Sequence, residues 1–181
     1  MRALIYVIDA LSMLITFVFL LRFWLPWFGV DFRNQIAQGI LQATSPVINP
    51  LRRIVPSIGR IDTATILVMF LVQAITLLLI FKLTGSSISA KYILISASFK
   101  LIYLSLRLFM FAIIIRIVLS WIAPQTYNPA TALLADITDP LLRPFRRYIP
   151  PIGGFDISPI FAIILIGALS MLVFDAQSFL L

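Results

Sequence analysis

Arg52 stands two residues after Pro50 and Arg53 three before Pro56, and 94 residues later Arg146 and Arg147 repeat the arrangement. The shared pattern is P-x-R-R-x-x-P-x-I-G-x-x-D, running from Pro50 to Asp62 and again from Pro144 to Asp156. Paired guanidiniums are planar, permanently charged donors that suit phosphate or carboxylate, so the chemistry on offer is anion binding. Arg143 adds a cation where the first copy has Asn49. Little else is available for chemistry. The chain has no His and no Cys, and all 7 acidic residues are Asp. Disulfides, thiolate or imidazole metal ligands, Ser-His triads and thiol redox chemistry are thereby excluded. No nucleophile–base spacing is visible among the remaining Asp, Lys, Tyr and Ser, so an enzyme is the weakest class, and no metal or cofactor is expected.

The elements that hold these arginines must be membrane spans. A chain of 181 residues that is 61% hydrophobic and 12% charged cannot hide its apolar surface in one soluble core. Four stretches have spanning length, at residues 4–24, 63–83, 98–122 and 157–174. The first is too long for a signal peptide, lacks a small-residue cleavage site and has a counterpart in the third. Residues 22–66 recur as 116–160, so the chain reads as a duplication: a first repeat at 1–83, a Gly/Ser linker at 84–97 and a second repeat at 98–181. Two spans per repeat make the copies parallel, related by a pseudo-two-fold axis along the membrane normal. The expected fold is all-α, with four transmembrane helices and amphipathic interfacial helices in the long loops at 28–62 and 123–156.

Asn34 and Asn128 occupy N-cap positions, with Pro129 at the favoured first helical position. Ser45-Pro46 and Asp139-Pro140 repeat the cap-then-proline signal and are expected to open a second short helix in each loop. In that helix Val47, Ile48, Leu51, Ile54 and Val55, matched by Leu141, Leu142, Phe145, Tyr148 and Ile149, cover one face while the arginine pairs point away. Such a helix belongs at the membrane interface.

Arg22 and Arg116 lie just inside the span exits, and Asp62 and Asp156 cap the next spans. The expected pairs are Arg22 with Asp62 and Arg116 with Asp156. Trp27 and Trp121 fit an aromatic belt. On the opposite side, Asp9 either pairs with Lys100 or Arg107 or lies wet near the interface; the wet reading is preferred because none of the three sits at a span centre. Gln73, near the middle of the second span, together with Gly167 and Ser170, fits helix packing better than a permeation path.

The double-arginine motif has three readings: a cytoplasmic orientation signal, a binding surface for anionic lipid or an acidic partner segment, and the wall of an ion pathway. The net charge of +7 favours anionic lipid over nucleic acid. Arg33, Arg52, Arg53, Arg60, Arg143, Arg146 and Arg147 on the long loops outnumber Arg2, Lys82, Lys91 and Lys100 opposite. That bias places the loops in the cytoplasm and the termini outside.

On Arg22 and Arg116, Trp27 and Trp121, the double arginine and the Gly-x-x-Asp ending, the chain resembles a two-copy member of the YggT/YlmG family of small integral membrane proteins. The resemblance spans nearly the whole chain, with Arg60 where the second copy has Gly154. It implies a bacterial inner-membrane location and a link to osmotic or salt stress, potassium homeostasis, or division and envelope organisation. For plastid relatives it implies nucleoid distribution and haem-protein assembly. It brings no catalytic residue. The reading is a non-enzymatic scaffold or assembly factor whose partners are membrane lipids, a protein bound through the loops, or a second copy of the chain. A potassium-transport component is the alternative.

Overall fold

A computed structural model describes residues 1–85, 89–122, 128–151 and 156–180. They form six helices: α1 (Arg2–Trp24), α2 (Gln35–Arg52), α3 (Thr63–Thr84), α4 (Ala90–Ile122), α5 (Pro129–Tyr148) and α6 (Ser158–Leu180). The protein is an all-α membrane protein in which α1, α3, α4 and α6 are long and apolar enough to cross a bilayer. Leu11, Leu14, Leu71, Ile75 and Ile164 stand outward on these spans, where hydrocarbon is their compatible solvent.

The helix ends follow local chemistry. Asp62 caps α3 by accepting from the Thr65 N–H, and Gly85 closes it in the left-handed conformation at φ +70°. The third span begins at Ala90, inside the expected linker. Ser89 accepts from the Tyr92 N–H at 3.1 Å and so starts the helix before the purely apolar run begins. At 33 residues α4 is about 50 Å long, against about 30 Å of hydrocarbon, so it projects beyond the bilayer.

The loop helices also depart from expectation. Each is one continuous helix, with Pro46 and Pro50 inside α2 and Pro140 and Pro144 inside α5. Ser45 and Asp139 therefore open no new helix. Proline breaks the hydrogen-bond ladder, yet the Leu41 carbonyl, next to the break, accepts from Ser45 Oγ at 2.6 Å and from Arg22 at 3.2 Å. Side chains from inside and outside the helix thus serve the loosened turn. At the start of α2, Asn34 accepts from the N–H groups of Ile36 and Ala37; Asn128 and Thr131 form a capping box on α5.

Span α1 packs on α3 and α4 on α6, one hairpin per repeat, and α4 also meets α1 and α3. Helix α2 lies across α1 and α3, helix α5 across α4 and α6, and the two loop helices touch. There Asn34 Nδ2 donates to the Pro129 carbonyl at 2.7 Å. The buried faces of α2 and α5, including Ile48, Leu133, Ile137 and Leu142, join span residues in two cores. Part of the apolar face assigned to the membrane interface is therefore covered by the protein's own spans.

Deep between α1 and α3, Gln73 is fully buried and donates to Thr16 Oγ1 at 2.7 Å and Ser12 Oγ at 3.2 Å. It ties two helices together, the packing role expected of it.

Candidate functional site

In each repeat a span-end arginine, a loop-helix hydroxyl, the first arginine of the pair and the capping aspartate meet. In the first repeat Arg22, 5% exposed, donates through Nη1 to Thr44 Oγ1 at 2.7 Å and to Ser45 Oγ at 3.2 Å. Its Nε lies 3.7 Å from Asp62 Oδ2, close enough for charge attraction, but makes no hydrogen bond. Asp62 accepts the shorter bonds of Arg52 Nη2 at 2.6 Å and Thr65 Oγ1 at 2.7 Å. The expected Arg22–Asp62 pair is thus present as the weaker half of a shared carboxylate.

The second repeat is wired differently. Arg116 donates to Thr138 Oγ1 at 2.6 Å and to Asp139 Oδ1 at 2.7 Å, and does not pair with Asp156. Asp139 stands where the first repeat has Ser45, so its carboxylate takes Arg116 from within the loop helix. Arg146 then bridges, donating to Asp139 at 2.8 Å and to Asp156 at 2.8 Å. Asp156 caps α6 by accepting from the Ser158 N–H at 2.9 Å.

Burial alone would raise these carboxyls, but their hydrogen bonds outweigh it. Arg52 and Thr65 hold Asp62 below the ordinary carboxylate value; Arg116 and Arg146 do the same for Asp139, and Ser158 and Arg146 for Asp156. Against the same burial effect, Asp139 and Asp156 raise the Arg146 pKa. All these groups are therefore charged at neutral pH.

This sorts the arginines of the motif. Arg52 and Arg146, though exposed, are paired to carboxylates as braces. Arg53, Arg143 and Arg147, with Arg33 and Arg60, are exposed and make no ion pair among the described residues. They remain able to meet an external anion. A cleft of about 730 Å³ beside the first brace is lined by Arg22, Trp27, Arg52, Gly59, Arg60 and Asp62. Gly59 turns the chain there at φ +60°, between Ile58 and Ile61, which exchange backbone hydrogen bonds. The matching Gly153 and Gly154 lie outside the described residues.

Trp27 and Trp121 are exposed, as belt residues must be. Their neighbour Trp24 does more packing, against the rings of Phe28 and Phe109, while its Nε1 donates to Ser105 Oγ. Across the membrane Lys100 Nζ donates to Asp9 Oδ1, joining the repeats, although the Asp9 side chain is half-exposed. Arg107 meets no carboxylate among the described residues. It donates to the Tyr103 hydroxyl at 2.8 Å, and contrary to expectation it sits near the middle of its helix. Thr44, Thr138 and Asp139 went unrecognised as site residues. Their signal was the repeat itself, since Thr44-Ser45-Pro46 overlies Thr138-Asp139-Pro140.

Comparison with known proteins matches the same duplication. The chain is 41% identical over 175 residues to an uncharacterized Pseudomonas aeruginosa protein, covering 96% of this chain and 89% of that one. It is 33% identical over 172 residues to the uncharacterized protein YggT of Escherichia coli K12, covering 94% and 89%. A shorter stretch of 59 residues is 41% identical to the chloroplastic YlmG homolog protein 2 of Arabidopsis thaliana, covering 31% of this chain and 22% of that one. No solved structure matches the chain. The family description CCB3/YggT fits residues 1–83 and again 95–177, one match for each braced repeat, and the chain belongs to the CCB3/YggT family.

Proposed function

We propose that this protein is a non-enzymatic scaffold or assembly factor of the bacterial inner membrane, with its long loops on the cytoplasmic face. The observation that carries this reading is the division of labour within each arginine pair. One arginine of each pair fixes the loop helix to the spans, and the other, with Arg143, stays free on a rigid basic surface. Such a surface recognises phosphate headgroups or an acidic protein segment. A division, envelope or osmotic-stress role is compatible with it, the partner deciding which.

The transport alternative needs polar lining along a path. In the middle of the second span Gln73 donates through Nε2 to Thr16 and Ser12 and only its Oε1 is left without a partner, a single acceptor rather than a polar lining, which favours the scaffold. Potassium flux into proteoliposomes of the purified protein is expected not to exceed that of protein-free vesicles. Selective flux abolished by Gln73→Leu would overturn the scaffold reading.

A further inference from the structure

Among the places where the spans of the two repeats differ, one changes the space between the helices. Gln73 fills the space between α1 and α3, whereas its counterpart 94 residues on is Gly167. A side-chain carbon added at Gly167 would meet nothing within 4 Å. Where the first repeat is plugged, the second opens a cleft of about 710 Å³ between α4 and α6. The counterparts of Ser12 and Thr16, which hold Gln73, are Leu106 and Met110, so Arg107 lies level with Gly167. Met110, Met171 and Phe174 give the cleft apolar walls, while Tyr103, Arg107 and Asp175 give it polar groups.

Two of those groups have unspent charge. Arg107 stacks its guanidinium over the Tyr103 ring at 5.3 Å and bonds its hydroxyl, yet forms no ion pair. Asp175 forms none among the described residues either. Lys100, also in the cleft wall, is already neutralised by Asp9. Helical side chains lean toward the helix N-terminus, which carries the Arg107 guanidinium about one turn toward the terminal side of the membrane. Asp175 follows Gly167 by eight residues, roughly 12 Å in the same direction. Arg107 and Asp175 thus line one cleft with the carboxylate on its terminal side, a cation and an anion that match a dipolar headgroup, with apolar walls for the chains.

We propose that this cleft binds one aminophospholipid, its phosphate against Arg107 and its ammonium against Asp175. The site is separate from the loop surface and does not rest on the scaffold reading. Native mass spectrometry of the purified full chain, released from detergent after adding phosphatidylethanolamine or phosphatidylglycerol, tests it. With Arg53, Arg143 and Arg147 changed to Gln to silence the loop surface, the protein is expected to retain one phosphatidylethanolamine in preference to phosphatidylglycerol. Arg107→Gln should lower that retention about tenfold or more. Gly167→Gln, which restores the plug of the first repeat, should do the same. Asp175→Asn should erase the headgroup preference. Ser170→Leu fills the same space from one turn away and repeats the test should Gly167→Gln fail to fold. Equal retention in that background before and after Arg107→Gln or a cleft-filling change would overturn the proposal, as would a preference there for phosphatidylglycerol. Soluble phosphoethanolamine binding as well as the lipid would overturn it too, since the apolar walls would then contribute nothing.

Discussion

Arg52, Thr65 and the charge of Arg22 converge on the Asp62 carboxylate, whose side chain is 13% exposed. Its counterpart Asp156 meets Arg146 and the Ser158 N–H with 39% of its side chain exposed. Removing a charge beside a buried arginine costs more than removing one from a solvated pair. Asp62→Asn is therefore expected to destabilise the protein by about 2 kcal/mol and Asp156→Asn by less than about 1 kcal/mol. Thermal unfolding in a mild detergent measures both. The same melts carry a pH signature. Because Asp62, Asp139 and Asp156 titrate lower folded than unfolded, their stabilisation is present above about pH 4 and lost as pH falls through the folded values. Wild-type Tm should thus drop on acidification, and Asp62→Asn should flatten that drop. A steeper drop in the variant would contradict the shared-carboxylate brace.

At the scale of the element, Asn34 has two tasks. Its Oδ1 caps α2, and its Nδ2 reaches across to the Pro129 carbonyl at the start of α5. Asn128 caps α5 alone. Asn34→Ala should therefore cost about 1–2 kcal/mol, and Asn128→Ala about 1 kcal/mol. Equal costs would mean the link between the loop helices contributes nothing. Both caps were legible, because Asn before an amphipathic run has a local meaning. The spans were legible too, since hydropathy over twenty residues leaves few alternatives. The early start of α4 was not, because Ser89 and Lys91 read as linker until Ser89 is seen to cap a helix. Nor was the continuity of α2 and α5 through their prolines. That depends on side chains from another helix serving the loosened turn, a tertiary fact that no local pattern carries. The partner of Arg116 was missed for the same reason: Asp139 looked like a cap and proved to be an acceptor for two arginines.

Taken whole, the molecule is a duplication whose copies kept the loop brace and diverged in the spans. Both repeats tie a span-end arginine to a threonine of the loop helix and the first motif arginine to the cap of the next span. Between the spans, one copy is plugged by Gln73 and the other is open at Gly167. A brace preserved twice is costly to explain as orientation signalling alone, which needs only positive charge. The proposed anion-binding surface would explain it, through a need to hold Arg53, Arg143 and Arg147 in fixed positions. Spin-labelled lipids in proteoliposomes test that need most directly, through the ratio of protein-associated phosphatidylglycerol to phosphatidylcholine. The wild-type ratio should exceed one and decline with added salt, and the combined change of Arg53, Arg143 and Arg147 to Gln should bring it close to one without lowering Tm. A ratio unchanged by the triple substitution would contradict an anion-binding loop surface.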